Sequence, residues 1–265
     1  GRDDEIISRR LNVRGLVILA VVVLVIVPGF FALKAFQGRA GQSSYLNEAK
    51  KTIEAGRPDL ALRYVNDYLQ RNPTNLEALD LKSKILVGLA REGPAVEEAI
   101  RVQNQILAQA PDRKDARKRL VELNLKGRLY RAAQVAAEAY LKGGADDAEA
   151  HRLMAQALEG VGFLGDAPAL ERAMEEYETA EKMEPGDVIG AERLAYLYRT
   201  KGNNPKRAQQ VMDSLLKYNP NSAPARLARF RFYLTGSDPQ SNMTLALAEI
   251  DAAIKIAPGD LEARL

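Results

Sequence analysis

The 265-residue sequence contains no cysteine and no tryptophan, a single histidine, and only 6% aromatic residues. Without cysteine there can be neither a disulfide nor a thiolate metal site. One imidazole, His151, cannot pair with another. Glu149 offers it no help, because helical residues two apart do not share a face. His151 is therefore read as a partly buried structural residue rather than a general base. No glycine-rich phosphate loop follows a strand, and no clear strand is visible at all. A net charge of +3 is too small to argue for a polyanionic partner. These absences leave no catalytic residue, no cofactor and no metal to assign, and they point to a protein that binds rather than reacts.

Charge is missing altogether between positions 15 and 33, an apolar run containing Leu-Val-Ile-Leu-Ala-Val-Val-Val-Leu. As a helix it would span roughly 28 Å, close to the hydrocarbon thickness of a bilayer. The reading is a basic flank over 1–14, a transmembrane helix over 15–36 in contact with membrane lipid, and a linker over 37–44. Pro28 and Gly29 are tolerated in such a helix. Arg9, Arg10 and Arg14 precede the run and Lys34 and Arg39 follow it, which favours a cytoplasmic N-terminus and a periplasmic remainder; the alternative keeps the remainder cytoplasmic. Ser8-Arg9-Arg10 weakly suggests an export signal and Gly38-Arg39-Ala40 a cleavage site, but the run exceeds the ~7 to 15 residues of a signal-peptide core.

Beyond position 44 a fixed offset recurs. Ala61 is followed twelve positions later by Pro73, Ala99 by Pro111, Ala173 by Pro185, Ala208 by Pro220 and Ala246 by Pro258, and Ala133 pairs in the same way with Ala145. A small side chain inside a helix lets a second backbone approach closely, and a proline past its end stops it. The unit is about 34 residues with insertions, punctuated at its hairpin turn by Gly56, Gly93, Gly127, Gly162, Gly202 and Gly236. The pattern predicts an all-α solenoid of about six helix pairs over 45–265. The repeats fall at about 42–75, 76–113, 114–147, 148–187, 188–222 and 223–260, with a seventh opening at 261 and continuing past Leu265 or covered there by a partner.

At these residues the chain resembles the tetratricopeptide repeat (TPR) family. Four and seven residues after each alanine, where that family places apolar or small residues, stand Val65 and Tyr68, Gln103 and Ile106, Ala137 and Tyr140, Tyr177 and Ala180, Met212 and Leu215, and Ile250 and Ala253. Only Gln103 departs. The family's early tryptophan is absent, and its first-helix glycine is replaced by Ala49, Ser83, Val121, Ala155, Ala195 and Phe230.

The resemblance implies a groove for a protein partner along the first helices. Carried across residue by residue, its lining is Lys84, Lys118, Glu122, Arg152, Gln156, Tyr196, Arg199 and Arg231, mainly basic and suited to an acidic segment. The plain reading of the same row is a set of solvated helix faces. The lysine and asparagine clamp that some TPR co-chaperones use is not matched by Leu46, Lys50, Ser83 and Lys84. Arg113, Lys114, Arg117, Lys118 and Arg119 form a basic cluster that could touch phosphate, but no stacking aromatics accompany it, which argues against nucleic acid. The expected function is a membrane-anchored scaffold or adaptor for protein-protein interaction. Alternatives are an assembly subunit of a large envelope complex, held by other subunits of a membrane complex, and the recruiting arm of a longer enzyme.

Overall fold

The computed structural model describes residues 45–89, 93–236 and 239–259, together with the isolated residue Leu24. Twelve helices and no strand occur among them. They are α1 (45–54), α2 (Pro58–Arg71), α3 (Leu76–Leu89), α4 (Pro94–Gln109), α5 (Lys114–Lys126), α6 (Tyr130–Lys142), α7 (Ala148–Phe163), α8 (Ala167–Met183), α9 (Val188–Thr200), α10 (Pro205–Tyr218), α11 (Ala223–Leu234) and α12 (Pro239–Ile256).

The expected membrane location is corrected. No helix among the described residues is long and apolar enough to cross a membrane. The longest, α12, carries Glu249, Asp251 and Lys255 within its 18 residues. The run 15–33, its flank, the linker 37–44 and the opening of a seventh repeat lie outside the described residues.

The chain divides into two compact units, residues up to Ile85 and residues from Leu86, with the boundary inside α3. In the first unit Leu46, Ala49, Ala61, Val65 and Leu79 are buried. The turn between α1 and α2 closes on Gly56 at φ +69°, a left-handed conformation that suits glycine, and the Arg57 amide donates to the Thr52 carbonyl. In the second unit each helix from α4 to α12 packs on the next, and the first helices of successive pairs also meet, α5 on α7 and α9 on α11. One core runs through it from Val121 to Ala228.

The six alanines that set the register have zero exposure. Gln103, the departure from the apolar pattern, is buried as completely. Helices α2, α4, α8, α10 and α12 end two residues before Pro73, Pro111, Pro185, Pro220 and Pro258, where the ring cannot continue the helix. At the other ends Asp147, Asp187, Asn204 and Ser222 cap α7, α9, α10 and α11 with side-chain oxygens that accept from backbone amides.

The glycine rule holds only in part. In the third and fifth pairs the left-handed residue is the one after the glycine, Arg128 and Asn203. In the fourth it is Gly165 at φ +109°. Gly162 sits inside α7, where an added Cβ would lie 2.4 Å from the Leu170 side chain, so it serves close helix approach rather than turning.

Candidate functional site

The expected groove residues lie on first helices, and most of their charge is spent within the chain. Lys118 of α5 reaches Glu149 of α7 at 2.6 Å and lies 3.8 Å from Glu122. The bond to Glu149 holds the Lys118 ammonium above its ordinary range. Arg152 of α7 pairs with Asp187 at 3.1 Å and touches Glu149. Arg231 of α11 makes a bidentate pair with Glu192 of α9. The row is therefore a ladder of ion pairs linking neighbouring repeats, and its mainly basic sequence is largely neutralised by acids between it. Gln156 is half-buried on α7, and Lys84, in the first unit, is exposed.

Three of the expected residues do converge. Tyr196 and Arg199 of α9 and Arg231 of α11 line a cleft of about 380 Å³, floored by Met212 and Phe232 and bordered by Glu192 and Arg193. Tyr196 is 37% exposed and the Arg193 guanidinium lies over its ring at 5.4 Å. Arg199 is packed over the Phe232 ring at 4.8 Å. It donates to the Phe232 carbonyl at 2.7 Å and to the Thr235 hydroxyl at 2.6 Å, both uncharged acceptors. Burial pulls the Arg199 pKa below its ordinary value, with the Tyr196 hydroxyl opposing weakly. Among the described residues no carboxylate pairs with it, whereas both neighbouring arginines are paired.

Arg193 is held from beneath. Its guanidinium makes a bidentate pair with Glu159 of α7, whose carboxylate is 4% exposed and also accepts from the Tyr177 hydroxyl at 2.9 Å. Burial, and then the Glu159 charge, push the Tyr177 phenol well above its usual range, so it stays protonated and donates. This group fixes the side of the cleft next to Tyr196. The sequence reading missed Glu159, Glu192, Arg193 and Phe232. The spacing of Arg193, Tyr196 and Arg199 at intervals of three, neighbours on one helix face, was the available signal.

His151 is partly buried, as expected, but its partners come from other elements. Nδ1 lies 2.6 Å from Glu176 of α8, and Nε2 lies 3.0 Å from Asp146 in the loop before α7. A carboxylate at each nitrogen favours the protonated ring. Burial lowers its pKa, but the bonds to Glu176 and Asp146 outweigh that and leave it above 6.5. A raised folded value means the contribution to stability is fully present below 6.5 and is lost as pH rises through the folded value. Urea midpoints should fall over that range in the wild type, and the His151→Gln variant should lack that component of the pH dependence. An identical pH profile in both proteins would show that the two bonds contribute nothing.

The basic cluster at the start of α5 is also internally engaged. Arg113 and Arg119 pair with Asp115, Lys114 donates to the Gly144 carbonyl, and Arg117 donates to the Pro111 and Ala139 carbonyls. No group of residues able to hold a metal ion occurs among the described residues.

No protein-family model and no curated protein matches the sequence. Solved structures do. MamA from Desulfovibrio magneticus RS-1 matches with a TM-score of 0.58 at 21% identity, over 68% of this chain and 96% of that one. A tetratricopeptide repeat protein from Parabacteroides merdae ATCC 43184 matches with a TM-score of 0.58 at 17% identity, over 84% of this chain and 81% of that one. Helix pairs, buried alanine register and structural likeness agree: the chain has the fold of the tetratricopeptide repeat proteins.

Proposed function

We propose that this chain is a scaffold that holds a protein partner along the first helices of its repeats, with the cleft between α9 and α11 receiving an acidic side chain. The observation that carries this reading is Arg199. It is a half-buried cation whose hydrogen-bond acceptors among the described residues are the neutral Phe232 carbonyl and Thr235 hydroxyl, in an open cleft beside an exposed tyrosine. A desolvated guanidinium is more stable with a carboxylate in its fork, and a partner can supply what the described residues do not. Tyr196 and Phe232 add the aromatic surface on which such contacts concentrate.

The test is a photo-crosslinking residue at Tyr196, compared with one at the exposed Gln210 of α10, in the presence and absence of Arg199→Glu. A discrete adduct from position 196 alone, weakened about thirtyfold (~2 kcal/mol) by the charge reversal with helical circular dichroism unchanged, is the expected result. Equal adducts from both positions, or capture indifferent to Arg199→Glu, would overturn it. A second reading, an assembly subunit joined through its sixth repeat, is favoured by Met243 and Leu247, four apart on α12 and each about half exposed. Crosslinks from Leu247 in place of Tyr196 would support it.

A further inference from the structure

A second concavity lies where α8 meets the turn after α9, away from the residues of the α9 and α11 cleft. Its volume is about 500 Å³. Leu170 and Met174, four apart on α8, form an apolar floor and pack against the core from their half-buried positions. An unbranched thioether lets such a floor adapt to what sits on it. Gly202 opposes Met174 so closely that an added Cβ would lie 3.0 Å from the methionine methyl, which keeps the slot open at the turn. Phe163, half exposed, continues the apolar surface beyond Lys201, whose ammonium lies 5.9 Å from its ring.

The rim has the opposite character. Glu171, Glu175 and Glu178 follow at intervals of four and three on one face of α8 and all border the concavity. Glu178 accepts from the Tyr198 hydroxyl. Glu171 and Glu175 are exposed and, among the described residues, no cation pairs with either. This contrasts with Glu176 and Glu181 of the same helix, which meet His151 and Arg207. Like charges four apart cost a helix a few tenths of a kcal/mol, and among the described residues no ion pair offsets that cost here; Lys201, which also borders the notch, has its ammonium 5.9 Å from the Phe163 ring instead. An apolar slot edged by the exposed carboxylates of Glu171 and Glu175, with Lys201 set over Phe163, is complementary to one kind of occupant.

We propose that this notch docks a basic amphipathic peptide segment, with an apolar side chain on Leu170 and Met174 and a lysine or arginine one turn away on Glu171 and Glu175. The site is independent of the α9 and α11 cleft and prefers the opposite charge, so the two readings fail separately.

The test uses the whole chain and a fluorescent helical peptide of leucine and lysine with one apolar face, followed by anisotropy. Two control peptides accompany it: a scrambled isomer of the same composition with no continuous apolar face, and a leucine and glutamate counterpart. The leucine and lysine peptide should bind saturably and less tightly as salt rises, and the controls should not. Glu171→Lys with Glu175→Lys should weaken it about tenfold or more. Ala167→Trp, which fills the notch from an exposed position, should abolish binding with circular dichroism unchanged, while Arg199→Glu should leave it intact. Failure of the peptide to saturate, equal binding of the scrambled isomer, or indifference to the paired lysine substitutions would overturn the proposal.

Discussion

Replacement of Arg193 by methionine is expected to cost about 3 to 5 kcal/mol of folding stability. The reason is asymmetry within the pair. The Glu159 side chain is 5% exposed, whereas the Arg193 side chain is 43% exposed. Removing the arginine strands a buried carboxylate, with the Tyr177 hydroxyl as its remaining donor among the described residues. Removing the carboxylate with Glu159→Gln leaves a guanidinium that can turn to solvent, and should cost less. The double variant Glu159→Gln with Arg193→Met leaves no charge behind and should be milder than Arg193→Met alone. Arg193→Lys should recover only part of the loss, because an ammonium cannot reproduce the two-pronged contact. Urea unfolding of the four proteins checks this. A loss below about 1 kcal/mol for Arg193→Met would mean that Glu159 is not dependent on its partner.

Gly160→Ala is expected to destabilise the chain by about 2 kcal/mol, against the usual sign for a helix interior. Alanine is favoured over glycine in a helix by up to ~1 kcal/mol. Here a Cβ would lie 2.1 Å from the Tyr130 ring and within 2.6 Å of three of its atoms, so α6 and α7 touch through the bare backbone. An aromatic ring cannot yield as a flexible chain end does. In a Tyr130→Ala background the same change should turn neutral or stabilising, and that non-additivity is the diagnostic. Gly88→Ala is the control, since an added Cβ there meets nothing within 4 Å. Calorimetric melting of the set is sufficient. Additive effects of Gly160→Ala and Tyr130→Ala would rule out the contact as the cause.

Much of the architecture was legible because helix pairing imposes a strict local demand. Where two backbones come close only alanine or glycine fits, and where a helix must stop proline serves. These requirements leave a mark at fixed spacing, so Ala61, Ala99, Ala133, Ala173, Ala208 and Ala246 announce buried contacts in the sequence itself. The electrostatics were not legible in the same way. Arg152, Arg231 and Lys118 read as a basic row because their acidic partners Asp187, Glu192 and Glu149 stand as many as 39 residues away, a pairing that only the stacking of repeats creates. His151 was placed correctly on its helix, yet its two carboxylates arrive from a loop and a different helix. Arg199 is distinguished by having no carboxylate partner among the described residues, and a single sequence carries no mark for that. The apolar run 15–33 suggested a membrane location that the described helices do not bear out, since each helix that buries apolar residues here also presents charge.

The ion-pair ladder of the second unit also bears on how the chain reaches its structure. Its bonds join a repeat to the next: Lys118 to Glu149, Arg152 to Asp187, Glu159 to Arg193, Glu192 to Arg231, the longest spanning 39 residues. No early loop closure across the whole unit is needed before such contacts form, so the entropic barrier is small and folding is expected to be fast for the length. Order can begin at any pair of helices and spread in either direction, and a lesion in one repeat is felt first by its two neighbours.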